Sequence, residues 1–309
     1  MIFRVLLLSL LSFGLQAKVE DHFKKALGKT DFHSMRNIDF IYVINLDQRP
    51  EKFARCAKQL ALWGINPYRF SAVNGWELSL EVVNDVGIKL DPSMTRTQWG
   101  TYYVPGGNRE PQHEPVQEIG RTYFSHCMSL GAIGINLSHL SILQDAYDSG
   151  YETIWVMEDD IDIMRNPHLL SDMIDKLNQL VGRDGWDILF TDPDTKNGFG
   201  QYVPCTGFAW RPNFQVSNPN RFAARQDISS EFRQVGARFG AYSMILQRSG
   251  MKKILDFLKT YHIFLPYDIE FPYPEDIRLF TVLFDIVSTT PGAPSDNGAP
   301  NYKKDEKKQ

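Results

Sequence analysis

Four apolar residues run straight into three acids in Ile154-Trp155-Val156-Met157-Glu158-Asp159-Asp160, and this constrains the chain more than any other stretch. A run of large and β-branched apolar side chains this short reads as a strand buried on both faces. Acids at its end then lie at a sheet edge, where open α/β folds bind ligands. Three carboxylates crowded there repel one another unless a positive group joins them. A hard divalent cation, Mg²⁺ or Mn²⁺, prefers such oxygen ligands and can in turn hold a diphosphate. Asp160 is the first candidate for metal ligand and Glu158 the second. Asp159 is a candidate for contact with the bound cofactor, and Asp162, which forms a second Asp-x-Asp with Asp160, is a lesser one. The alternative is structural: acids that cap the next helix or pair with Arg165.

The flanking sequence supports a sheet of this kind. Phe40 to Leu46 reads as a strand, and Pro50 opens a helix in its first turn, where proline is tolerated. Phe53, Cys56, Ala57 and Leu60 share one helical face, and Gly64 is a stop. Tyr68 to Val73 is a second strand, closed by the turn pair Asn74-Gly75, which completes a βαβ unit. Residues 91–125 are punctuated by proline and glycine and read as a long ordered insertion or lid. A helix is expected over Leu130–Tyr147 and another over Pro167–Leu180. Strands are expected at Trp186–Phe190 and Tyr242–Leu246, and a helix after Ser249. Residues 197–234 read as loop, and an apolar helix or strand runs up to Val287. Residues 289–309 hold almost no large apolar side chains and are expected to be disordered.

Composition excludes little but guides the partners. A net charge of −4 over 309 residues leaves no nucleic-acid footprint. The three cysteines, Cys56, Cys127 and Cys205, show neither zinc spacing nor a disulfide framework, although one disulfide among them stays open. Met1 to Ala17 combines Arg4, a short apolar run and a small residue at its end, the pattern of a cleaved secretory signal at residues 1–17. A polar lead-in over residues 18–37 follows, and no other segment reaches the length of a membrane span. The protein is therefore expected in a secretory pathway or exported, or cytoplasmic or membrane-associated if the signal is not used.

Three separated blocks are similar to glycosyltransferase family 25, which includes lipooligosaccharide and procollagen galactosyltransferases. Ile41-Tyr42-Val43-Ile44-Asn45-Leu46-Asp47-Gln48-Arg49-Pro50-Glu51-Lys52 resembles its opening strand. Gly131-Ala132-Ile133-Gly134-Ile135-Asn136-Leu137-Ser138-His139-Leu140 resembles its glycine-rich helix ending in Leu-Ser-His, and Glu158-Asp159-Asp160 its acidic motif. Gly240-Ala241-Tyr242 with Ser249-Gly250, and Pro266-Tyr267-Asp268, are weaker echoes. The resemblance covers residues 38–285. It implies a GT-A type α/β fold, a Rossmann-like, mostly parallel sheet flanked by helices, as one domain over residues 38–288. It further implies a metal-dependent inverting transfer of a sugar, commonly galactose, from a UDP-sugar to a glycan, lipid-linked or protein acceptor. Two positions depart from the family pattern: Ala132 stands where glutamate is usual, and Ile135 where cysteine or a small residue is usual.

Around the acids, further candidates follow. Asn45 at a strand end could read a base or ribose, or could form a turn. Arg49 could meet phosphate with its planar fork, or sit solvated at a helix start. Ser138 and His139 could line the donor site, although a lone histidine on an apolar face is more often a core group. Asn136-Leu137-Ser138 is a glycosylation sequon expected to be unused inside a helix. Asp268 or Glu270 could take the acceptor proton, or Asp268 could complete the metal site; a helix cap is the structural alternative. The competing class is a secreted, non-catalytic sugar- or nucleotide-binding protein on the same scaffold. It is kept open by Ala132 and by the signal, since nucleotide sugars are made in the cytosol. A metal-dependent phosphoesterase is disfavoured, because no histidine-rich cluster is present among seven histidines.

Overall fold

A computed structural model describes residues 17–305 apart from Thr97 and residues 206–208. The expected signal falls on residues 1–16, outside this range, with only Ala17 inside it. In chain order the strands are β1 (Phe40–Asn45), β2 (Tyr68–Ser71), β3 (Ile88–Lys89), β4 (Trp99–Tyr102), β5 (Gln112–Pro115), β6 (Thr122–Ser125) and β7 (Thr153–Glu158). They continue with β8 (Ile161–Ile163), β9 (Ile188–Phe190), β10 (Arg225–Asp227), β11 (Phe232–Val235), β12 (Ser243–Gln247), β13 (Leu279–Val282) and β14 (Val287–Thr289). The helices are α1 (Pro50–Ala61), α2 (Leu80–Val86), α3 (Leu130–Asp148), α4 (Leu169–Val181), α5 (Arg248–Tyr261), α6 (Tyr267–Glu270) and α7 (Tyr302–Asp305).

Eight strands form the central sheet in the order β10-β11-β13-β9-β12-β7-β1-β2. β2, β1 and β7 are parallel; β12 opposes both β7 and β9, so β9 and its parallel neighbour β13 run with β7. β11 opposes β13, and β10 opposes β11. Only β12 and β11 therefore run against the other six. Strict alternation in the central strands divides the core. Phe40, Tyr42, Ile44, Ile154, Val156, Met244 and Leu246 face α3 and α5. Ile41, Val43, Trp155, Met157 and Ile245 face α1 and α4, where Cys56, Leu60, Leu170 and Ile174 meet them. This two-sided burial is why the strands read as unbroken apolar runs rather than alternating ones.

The βαβ unit forms as the sequence predicts: Pro50 lies in the first turn of α1, and Gly64 takes a positive φ of 70° just past its end. Ser129 caps α3, accepting a hydrogen bond from the Ala132 amide at 3.0 Å. The ordered insertion read over residues 91–125 holds β4, β5 and β6, which join β3 in a second sheet, ordered β3-β6-β4-β5. Two expectations are corrected. The stretch 197–234, read as loop, contributes β10 and β11, whose short, half-exposed polar sequences carry no strand periodicity. The expected disorder of residues 289–309 does not hold as far as Asp305. Asp296 and Tyr302 are buried, and α7 closes the segment. Composition missed this because a few polar contacts, not apolar mass, hold the segment down.

Among the described residues no helix is long and apolar enough to cross a membrane. All three cysteines are thiols, and Cys56 is buried in the core.

Candidate active site

From β1 the chain turns to β2 on one side, and later returns as β7 on the other. This is a topological switch point, and the crevice it opens lies at the carboxyl ends of β1 and β7. Those ends are Asn45 and Glu158. The turn Asp159-Asp160 then leads into β8, and all three acids line one cavity.

Each acid meets a different neighbour. Glu158 Oε1 lies 3.2 Å from His139 Nε2. The His139 ring is buried and stacked on Tyr267, with centroids 4.1 Å apart. Burial pushes the imidazole down to about 3, so it is neutral. Burial pushes Glu158 up to about 7, with added repulsion from Asp268 and Asp159. Asp159 accepts a hydrogen bond from Asn45 Nδ2 at 2.6 Å and lies 3.8 Å from Lys52 Nζ. Desolvation raises its carboxyl to about 6 despite Lys52. Asp160 is also raised to about 6, by burial and then by Glu158, and its Oδ1 has no hydrogen-bond partner.

An orphaned carboxylate oxygen among mutually repelling, half-buried acids fits a hard cation, with Asp160 and Glu158 as the groups that would hold it. Among the described residues no three His, Cys, Asp or Glu side chains form one ready-made cage. The protein would thus supply one or two carboxylates and leave the remaining positions to phosphate and water, as Mg²⁺ sites often do.

The other predicted residues divide. Asn45 is central: besides Asp159 it donates to the Arg49 carbonyl at 2.8 Å and accepts from Arg69 Nε at 2.7 Å. Arg49 lines the cavity, with its fork on Asp296 at 2.8 and 3.1 Å. Ser138 also lines it, but its hydroxyl joins α3 to the loop after β2, donating to the Gly134 carbonyl and accepting from the Val73 amide. Asp268 lies in the first turn of the short α6 and accepts from the Gly240 amide at 2.9 Å. Burial raises its carboxyl above the usual range.

Glu270 does not belong to the site. It is fully buried, ion-paired with Arg211, and accepts from the Phe264 and Leu265 amides. Its role is to tie the end of α5 to α6, and its proximity in sequence to Asp268 was misleading because the two side chains leave opposite sides of a helical turn. Asp162 points elsewhere as well, onto Arg55. Asn136 is wholly buried, donating to the Ala132 and Leu265 carbonyls, as an unused sequon requires.

Several site residues were not singled out as candidates from the sequence. Lys52 lines the cavity and donates to the Pro294 carbonyl at 2.8 Å, yet its position reads as a solvated helix face. Trp76 lines it too, donating through Nε1 to the Asp296 carbonyl at 2.7 Å; its place directly after the Asn74-Gly75 turn could have marked it. Asp296 and Asn297 come from the segment expected to be disordered. The glycines of the motif explain themselves sterically. A Cβ on Gly134 would stand 2.5 Å from the Gly75 nitrogen, and one on Gly131 would stand 2.2 Å from the Asn297 carbonyl oxygen.

A mostly parallel sheet with helices on both faces, an acidic strand end at its switch point and a cavity above it define a GT-A-like glycosyltransferase fold. The sequence model described as glycosyltransferase family 25 (LPS biosynthesis protein) matches residues 38–270. The chain belongs to this family. It is 27% identical over 153 residues to a glycosyltransferase 25 family member of Aedes aegypti, covering 50% of this chain and 21% of the relative. A family member of Drosophila melanogaster is 26% identical over 166 residues, covering 54% and 23%. Inactive glycosyltransferase 25 family member 3 of Mus musculus is 25% identical over 162 residues, covering 51% and 22%. The chain thus spans less than a quarter of the length of these relatives.

Proposed function

We propose that this protein is a metal-dependent inverting glycosyltransferase that moves a sugar, galactose by family resemblance, from a UDP-sugar to an acceptor hydroxyl. The observation that carries this reading is the convergence of Glu158, Asp159 and Asp160 with Lys52, Arg49 and Trp76 around one cavity at the switch point. The cations suit a diphosphate, and the Trp76 ring offers a flat apolar face. A divalent ion held by Asp160 and Glu158 would supply Lewis-acid stabilisation of the departing diphosphate.

The chain's own groups do the rest. Asn45 holds the Asp159 carboxylate and the α1 start in fixed relation. Asp268 is the acceptor base. As the acceptor oxygen bonds to the anomeric carbon, its proton passes to the Asp268 carboxylate. The bond from that carbon to the phosphate oxygen breaks, and UDP leaves with the electron pair. Attack opposite the leaving group inverts the centre. A carboxyl raised by burial suits this task, because a stronger base takes a proton more readily. Glycan, lipid-linked and protein alcohols are all acceptors of this chemical kind.

A second reading, a non-catalytic nucleotide-binding scaffold, is favoured by Ala132 and by relatives whose printed name is inactive. Calorimetry of UDP with and without Mn²⁺ on wild type and Asp160→Asn tests the first reading. UDP binding is expected to need Mn²⁺ in the wild type and to lose that dependence in the variant. Equal, metal-independent affinity in both would refute it. Acceptor-independent hydrolysis of UDP-galactose then separates enzyme from scaffold.

A further inference from the structure

Two tyrosines help to wall a space of about 140 Å³ next to the acidic cavity, and their hydroxyls differ. Glu158, Ile135 and Asn297 line both spaces, so the two adjoin. Tyr242 Oη donates to Asp192 and accepts from Arg238 at 2.7 Å. Tyr267 Oη is buried and has no hydrogen-bond partner among the described residues. A buried hydroxyl left unpaired lowers stability, so a fold keeps one where another demand holds it. Packing fixes the ring that carries it. The ring stacks on the His139 imidazole, with centroids 4.1 Å apart and planes 12° apart, and meets Phe271 at 5.5 Å.

We propose that Tyr267 is a specificity-determining residue for the donor sugar, its hydroxyl donating to one ring hydroxyl of a UDP-linked hexose seated in this space. This rests on the transferase reading above. Glu158 and Asp268 stand on the same walls as Tyr267. The three side chains set one phenolic donor beside two carboxylate acceptors. A sugar hydroxyl both donates and accepts, so it can take a hydrogen bond from Tyr267 Oη while giving its own to a carboxylate. A phosphate only accepts, and the carboxylates repel it. The space is roughly ten times what a single water needs, which is room for one sugar ring. It also lies between Glu158, on the side of the diphosphate, and Asp268, the acceptor base, where the transferred carbon must be. A hydroxyl held there by a stacked ring is preorganised for its partner.

Tyr267→Phe keeps the ring and its stack on His139 and removes only a group that the fold leaves unpaired. Its urea midpoint is therefore expected to equal or exceed that of the wild type. Tyr242→Phe is the comparison: it loses the contacts to Asp192 and Arg238, and its midpoint is expected to fall. Calorimetry follows with UDP, UDP-galactose and UDP-glucose, each with Mn²⁺. Tyr267 is not among the described residues that line the acidic cavity, so UDP affinity in Tyr267→Phe is expected to stay within twofold. At least one sugar nucleotide is expected to bind about tenfold more weakly, the loss of one hydrogen bond to a sugar hydroxyl. Monodeoxy analogues of that nucleotide identify the hydroxyl: one is expected to lose about tenfold on the wild type and nothing further on Tyr267→Phe, as coupled groups do. Unchanged affinity for both sugar nucleotides, a lower urea midpoint for Tyr267→Phe, or additive losses for every analogue would each overturn the proposal. A wild type that fails to bind UDP would sink the transferase reading and the proposal with it, and the UDP titration alone reads this.

Discussion

Replacing Gly134 with alanine sets two physical effects against each other. In the interior of α3 the change should favour the helix by about 1 kcal/mol, because glycine loses more backbone freedom on folding. The structure opposes this. The new Cβ would stand 2.5 Å from the Gly75 nitrogen, 2.6 Å from the Val73 carbonyl oxygen and 2.9 Å from the Gly75 Cα. All three are backbone atoms, so no side chain can swing aside. The loop after β2 or the first turns of α3 must retreat by nearly an ångström, and overpacking of this kind costs about 1–3 kcal/mol. Rigid neighbours put the cost at the upper end, for a net loss of about 1–2 kcal/mol. Urea unfolding of wild type and Gly134→Ala measures it. A second consequence is local. The retreating loop carries Asn74 and Trp76, which line the acidic cavity. UDP affinity is therefore expected to fall about tenfold, the equivalent of ~1.4 kcal/mol. A variant as stable as wild type or more so, with unchanged UDP affinity, would show that helix propensity wins and that the glycine contact does not shape the site.

Asp268→Asn is expected to lower turnover by roughly 10²–10⁴ while leaving UDP affinity within twofold; a parallel fall in affinity would make Asp268 a metal ligand instead. Glu270→Ala strands the Arg211 guanidinium in the core and should destabilise by about 3–5 kcal/mol in denaturant titration, with any loss of activity tracking the unfolded fraction. Stability in chelator should fall as pH rises from about 4 to 7. Glu158, Asp159 and Asp160 are raised on folding, so the native state binds more protons than the unfolded chain across that window, and the advantage is lost as the folded groups ionise. Saturating Mn²⁺ should flatten this slope in a thermal-melt series, and an unchanged slope would argue that no ion binds the three acids.

Periodicity and turn chemistry sufficed to read β1, α1, β2, α3 and β7, because each is a local statement. An apolar run means burial on both faces, proline opens a helix, and Asn-Gly closes a strand. The acids Glu158, Asp159 and Asp160 were legible for the same reason, as charge that follows directly on a buried strand. The family motifs extended this to the fold. Tertiary structure alone decided the rest. Glu270 and Asp268 are two residues apart and chemically alike, but one lies sealed against Arg211 and the other faces cavities. Nothing local distinguishes them, since the difference is made by which distant side chain each meets. Asp296 shows the converse: a polar segment that buries little apolar surface is nonetheless fastened over the site by Arg49, Lys52 and Trp76, 220 to 247 residues earlier in the chain. Composition counts apolar mass and periodicity counts neighbours, and neither registers an ion pair closed across most of the chain.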